Sequence, residues 1–280
     1  NQWALHNTGQ YYSDTTNFLY DINIIPAWEI TKGDSSITIA LLDEGVKLEH
    51  EDLQNNLLQG KDVFGNKPDG SAASNSTHGT RCAGIIVAVD NALGIVGVAP
   101  KSKLFSIRIG SVYETSVTSC VEAFCYLLDS TDIGIANLSF AWPDEDQALT
   151  NAIDRYVKNA RNGLGGVVVC SAGNYNCEVL FPASGCNDNV ISVGACIPNG
   201  ERKKPFQCDG IDWGSCYGNK LDVMAPGIAI YTTNSDNNNP YTLFGGTSAA
   251  CPHVAGIAAL ILSQNPNLPH HFGLRHRAAI

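Results

Sequence analysis

Five short, mostly apolar runs constrain this chain more than any other feature: residues 36–42, 104–109, 133–138, 167–170 and 190–193. They are rich in β-branched side chains and too short for helices, which is the pattern of strands buried on both faces. Helical patterns over 78–89, 119–128, 146–159 and 247–263 separate most of them. Strands that alternate with crossover helices predict an α/β fold, a three-layer, doubly wound and mostly parallel sheet with its site at the carboxyl ends of the strands. Segments 65–76 and 233–240 are rich in Gly, Asn, Ser and Asp, the composition of surface connections. No repeat and no linker divides the sequence, so residues 1–280 are expected to form one domain. A 44% hydrophobic, 16% charged composition supplies the apolar mass for such a core and too little charge for disorder.

The net charge of −10 argues against nucleic acid, because no basic stripe is present to displace phosphate counterions. No run approaches 18 apolar residues, so no membrane span is expected, and Asn1-Gln2-Trp3 lacks the basic and apolar regions of a signal peptide. The segment therefore reads as mature or excised. Ten cysteines without a Cys-x-x-Cys pair point away from zinc and toward an oxidising compartment, extracytoplasmic or in the secretory pathway. Cys82, Cys170 and Cys251 lie in apolar runs and read as buried thiols. Of the seven others, Cys177 with Cys186 and Cys208 with Cys216 close short polar loops and are the first disulfide pairs expected.

Four positions carry chemistry. Asp43 ends the run Ile39-Ala40-Leu41-Leu42, His78 opens a helical segment with Gly79 beside it, and Ser248 stands in Gly245-Gly246-Thr247-Ser248 before another. Each has an ordinary structural explanation as a turn, a lone histidine or a helix cap. Their chain order, Asp then His then Ser, is that of one serine-hydrolase triad. In such a triad the serine attacks a carbonyl, the histidine carries its proton and the aspartate fixes the imidazole tautomer. Asn174, in Ser171-Ala172-Gly173-Asn174 after another strand, adds an amide donor suited to an oxyanion.

With these motifs the sequence resembles the subtilisin-like proteases over nearly its whole length. Several stretches resemble the kexin and furin branch: residues 5–10, 21–23, 26–29, 49–53 and 78–84. Pro252-His253-Val254-Ala255-Gly256 and Phe181-Pro182-Ala183 are closer to the bacterial pattern. The resemblance implies a serine endopeptidase acting on polypeptides, with an N-terminal propeptide as inhibitor. It places Ser139, Phe140 and Ala141 on one substrate wall, Ser171, Ala172 and Gly173 on the other, and Glu114, Thr115 and Ser116 along the substrate-binding edge. Ala141 stands where most members carry glycine. It also implies structural calcium held by Asp52, Asn91 and the carbonyls of Val89, Leu93 and Ile95, with a further ligand from Gln2 or a residue preceding this chain. Glu44, Glu122, Asp144 and Glu145 match or neighbour acids through which the kexin branch reads basic residues before the scissile bond. Against that preference stand Leu180 and Phe181, which suit an apolar pocket. A binding module that keeps the fold and has lost turnover is the competing class.

Overall fold

Period-two alternation along the first strand divides the core in two. Ile39 and Leu41 point into one cluster of buried side chains, and Ala40 and Leu42 into the other. The computed structural model describes residues 2–10, 19–65, 67–186 and 189–270. In chain order its elements are α1 (Ile24–Ile30), β1 (Thr38–Asp43), β2 (Leu57–Asp62), α2 (His78–Val87), β3 (Lys103–Arg108), β4 (Gly110–Ser111), β5 (Glu114–Thr115), α3 (Val117–Ser130), β6 (Ile135–Leu138), α4 (Gln147–Asn159), β7 (Val167–Ser171), β8 (Ile191–Cys196), β9 (Val223–Pro226), β10 (Ile230–Thr233), β11 (Tyr241–Phe244) and α5 (Thr247–Gln264).

Seven strands form one sheet in the order β2-β3-β1-β6-β7-β8-β9, with every neighbouring pair parallel. Helices α2 and α5 share the cluster of Ile39, Leu41, Ile135, Val169 and Val193, and α3 and α4 share that of Ala40, Leu42, Ala136, Leu138 and Val168. This is the three-layer, doubly wound arrangement expected. From β1 the chain runs to β2 and β3 on one side and then crosses to β6 on the other, so the topological switch falls at β1. A crevice opens outside the carboxyl ends of strands at such a point, and Asp43 is the last residue of β1.

The structure adds both edge strands, β2 and β9, and the antiparallel pairs β4–β5 and β10–β11 to the predicted set. It corrects the disulfides. All ten cysteines are unpaired, and Cys177 Sγ faces Cys216 Sγ at 3.5 Å, not Cys186. Cys186 is buried in the α3–α4 core while Cys208 is exposed, so loop length was a poor guide to which sulfurs meet. Among the described residues no helix is long and apolar enough to cross a membrane.

Candidate active site

The carboxylate of Asp43 is fully buried and accepts hydrogen bonds from its neighbour Glu44 N (2.8 Å) and from His78 Nδ1 (2.9 and 3.0 Å to its two oxygens). The glycine after His78 makes this approach possible. A Cβ on Gly79 would lie 2.2 Å from Gly45 O and 3.1 Å from Asp43 Cβ. Burial opposes the charged form of His78, but the adjoining Asp43 carboxylate outweighs it and holds the imidazole pKa well above the ordinary value. Phe140 and Phe244 flank the ring at 5.2 and 5.3 Å between centroids. One helical turn on, Cys82 Sγ lies 3.9 Å from His78 Nδ1 and 3.5 Å from Ser248 O.

Ser248 is the second residue of α5, an apolar helix buried along most of its length. Pro252 lies four residues further on and has no N–H to return to the Ser248 carbonyl. That oxygen instead accepts from Ser139 Oγ (3.3 Å) and the Cys82 thiol, which ties the start of α5 to the end of β6 and to α2. The Ser248 hydroxyl donates to Ser139 O at 3.0 Å. His253, also on α5, donates from Nδ1 to Ala249 O, and burial lowers its pKa to about 4, which keeps it neutral.

Asn174 sits just beyond β7. Its Oδ1 accepts from Thr247 N (2.8 Å) and Thr247 Oγ1 (3.0 Å), so the opposite atom, Nδ2, is the one left for a ligand beside Ser248. Gly246 keeps that side open: its φ is +109°, and a Cβ there would stand 3.3 Å from Nδ2. Two walls run from this point. Ser139, Phe140 and Ala141 continue from β6, and Ser171, Ala172 and Gly173 end β7 and follow it. Gly173 N is held by Thr247 Oγ1 at 3.2 Å, and a Cβ on Gly173 would meet Leu180 Cδ1 at 3.0 Å, so an apolar side chain packs against this wall.

The other expected substrate contacts divide. Glu114 and Thr115 form β5, paired antiparallel with β4, whereas Ser116 Oγ accepts from Ser119 N (3.2 Å) and caps α3. Glu122, Asp144 and Glu145 are exposed. Glu44 is only 5% exposed, and its Oε1 accepts from Thr77 N (2.5 Å) and His78 N (2.6 Å). The sequence reading missed that engagement, and it missed the parts played by Cys82, Thr247 and Pro252. A proline five residues into an otherwise apolar helix was the one visible signal.

Away from the cleft, the Asp52 carboxylate is buried and accepts from Asn91 Nδ2 and Ile95 N, both at 2.9 Å. Burial raises its pKa, and among the described residues no Lys or Arg pairs with it. Gln2 bonds both backbone groups of Val96 (2.7 and 3.0 Å), so its side chain reaches this loop.

The subtilase family model matches residues 34–277. The chain belongs to the subtilase family. Among subtilases it is 38% identical over 244 residues to the thermophilic serine proteinase of Bacillus sp. (strain AK1), covering 86% of this chain and 56% of that protein. Thermitase of Thermoactinomyces vulgaris is 35% identical over 260 residues, 91% of this chain and 84% of its own. A protease structure from Pseudoalteromonas arctica PAMC 21717 superposes with a TM-score of 0.76 at 25% identity, over 94% of this chain and 86% of that one. This subtilase chain thus spans little more than half of the first relative's length.

Proposed function

We propose that the chain is the catalytic part of a serine endopeptidase in which Ser248 forms an acyl-enzyme. The observation that carries this reading is the orientation of Asn174, whose amide is locked by Thr247 so that Nδ2 remains for an oxyanion next to the Asp43-paired His78. For attack, the Ser248 hydroxyl turns from Ser139 O to His78 Nε2, the ring nitrogen away from Asp43. His78 takes the proton and returns it to the leaving amine, while Asp43 holds the tautomer and stabilises the imidazolium. Asn174 Nδ2 and the Ser248 N–H then bind the developing oxyanion. Polypeptides are the substrates of this reading, and a propeptide that occupies the same cleft belongs to it. Hydrolysis of an unstructured protein, lost in Ser248→Ala with the fold intact, is the expected outcome. A folded wild-type chain that binds peptides without cleaving them would make it a binding module instead.

Leu180 against Gly173 favours an apolar first pocket. The preference for basic residues suggested by the kexin-like stretches would rest on the exposed Glu122, Asp144 and Glu145, since Glu44 already holds two backbone amides. Exposed carboxylates are well solvated and discriminate weakly. Otherwise identical peptides with Arg, Leu or Phe before the bond separate the two: faster cleavage after Leu or Phe supports the apolar pocket.

We also propose structural calcium at the Asp52 loop. The residues are compatible with an ion: Asp52 is a buried carboxylate that no Lys or Arg pairs with among the described residues, and Asn91, whose Nδ2 faces it here while Oδ1 accepts from Leu93 N, would turn its oxygen toward the ion. Asp52, the Asn91 side chain and the carbonyls of Val89, Leu93 and Ile95 would hold the ion, with Gln2 at hand. Its contribution would be stability.

A further inference from the structure

The first four N–H groups of an α-helix have no partner within it, and a helix that carries a reacting side chain in its first turn must have them fixed from outside. Helix α2 carries His78 as its first residue, yet the residue at its N-cap, Thr77, makes no capping hydrogen bond, and no acid lies in its first turn. The missing acceptor comes from another element. Glu44, next after Asp43 at the end of β1, turns its carboxylate inward, and one oxygen takes both Thr77 N and His78 N at 2.5 and 2.6 Å. When ionised, a carboxylate that accepts two backbone amides at a helix N-terminus also meets the positive end of the helix dipole. The charged groups it faces are Asp43 on its own strand end and His78 on α2. Among the described residues no Lys or Arg pairs with it.

We propose that Glu44 is a positioning residue for His78 and not a reader of substrate. The proposal takes its consequence for turnover from the peptidase reading above, while its geometry stands independently of it. Two neighbouring carboxylates then act on the same histidine in different ways. Asp43 bonds the ring at Nδ1, and Glu44 holds the backbone that presents it. Its negative charge, beside the first helical residue, adds to that of Asp43 in favouring the imidazolium. Burial, and after it the Asp43 charge, hold the Glu44 pKa above the ordinary carboxylate value, and the His78 and Thr77 amides offset only part of that by stabilising its charged form.

Glu44→Gln keeps an oxygen for the two amides and removes the charge. Glu44→Ala removes both. In the full chain, an NMR titration of the His78 imidazole, assigned by its loss in His78→Asn, should give a lower pKa in Glu44→Gln than in wild type. The acid limb of kcat/KM should move to lower pH with it, equally for peptides with Ala or Lys at the penultimate position before the bond. Glu44→Ala should lower kcat by about tenfold or more with KM little changed, as expected when a reacting group loses its alignment. Glu44→Gln should restore most of that loss at high pH. A His78 titration unmoved in Glu44→Gln, with loss confined to peptides carrying Lys at the penultimate position, would overturn the proposal and make Glu44 a specificity residue. If Glu44→Ala does not fold, the Glu44→Gln titration still decides. If the wild-type chain neither cleaves peptides nor reacts with a fluorophosphonate, the peptidase reading fails by itself. A shifted His78 titration would then still support the positioning role, and an unmoved one would still remove it.

Discussion

Two helix N-termini face the cleft, and they are capped in opposite ways. Helix α2, which presents His78, takes the charged oxygen of Glu44 on its first amides. Helix α5, which presents Ser248, has Gly246 at its N-cap and so no side-chain cap of its own, and takes the neutral oxygen of Asn174 on Thr247 N. On the peptidase reading proposed above, the difference follows from what each end would do. Negative charge beside a general base stabilises its protonated form, which the base must adopt during proton transfer. Negative charge beside an oxyanion would oppose the reaction, so a neutral amide is the cap compatible with the dipole of α5 aimed at that oxygen.

The largest test breaks both ends at once. Ser248→Ala should abolish turnover by roughly 10⁶-fold, and adding His78→Ala should cost little more, because groups that act as one unit are not additive. Steady-state hydrolysis of a single peptide checks this, and additive losses would contradict it. Next in size is Asn174→Ala, expected to lower kcat by about 10²-fold to 10³-fold with little change in KM, the magnitude found for the oxyanion-hole asparagine of subtilisin, a member of the same family. Asn174 also caps α5, so Asn174→Ala should lose about 1 kcal/mol of stability on denaturant unfolding. Asn174→Asp keeps an acceptor for Thr247 and should retain that stability while turnover falls at least as far. Equal stability losses in the two variants would refute the capping role.

The pH profile tests the charged end. His78 must be neutral to act as base, and its pKa is raised, so kcat/KM should fall as pH drops through a value above the ordinary histidine pKa of about 6.5. The stability linkage has the opposite sense. A raised histidine pKa contributes stability that is fully present below about pH 6.5 and is lost as pH rises through the folded value. Activity and this part of the stability should therefore trade places across that window, which parallel rate and melting measurements would reveal. The smallest effect lies away from the cleft. A chelator should lower the thermal midpoint of wild type but leave that of Asp52→Ala unchanged, since a ligand that binds only the native state stabilises by mass action. Equal midpoints in wild type with and without chelator, in a sample free of calcium by elemental analysis, would remove the ion.

How much of this was legible in the sequence depends on how many faces of an element are buried. The central strands β1, β6 and β7 are buried on both sides, so their apolar runs and the residues ending them, Asp43 and Ser171, could be read directly. Edge strand β2 exposes Leu58 and Gln59, and β9 exposes Met224, so neither carries a continuous apolar signal. Motif order brought out Asp43, His78 and Ser248, and an amide just past a strand end brought out Asn174. It could not show the direction in which a side chain turns: Glu44 follows Asp43 in sequence, and only the three-dimensional approach of α2 to the end of β1 turns it inward. The same holds for Cys177, whose sulfur meets Cys216 through the packing of loops 39 residues apart.

The acyl-enzyme is the most direct measurement of the central claim. A peptide ester mixed with wild-type chain and quenched rapidly, then digested and mapped by mass spectrometry, should show the acyl group on Ser248. The adduct should be absent from Ser248→Ala, and in wild type acylated first and then shifted to a pH below the His78 titration it should persist longer, because deacylation needs the neutral imidazole. Hydrolysis that proceeds with no adduct on Ser248, or with the acyl group on another side chain, would contradict the account.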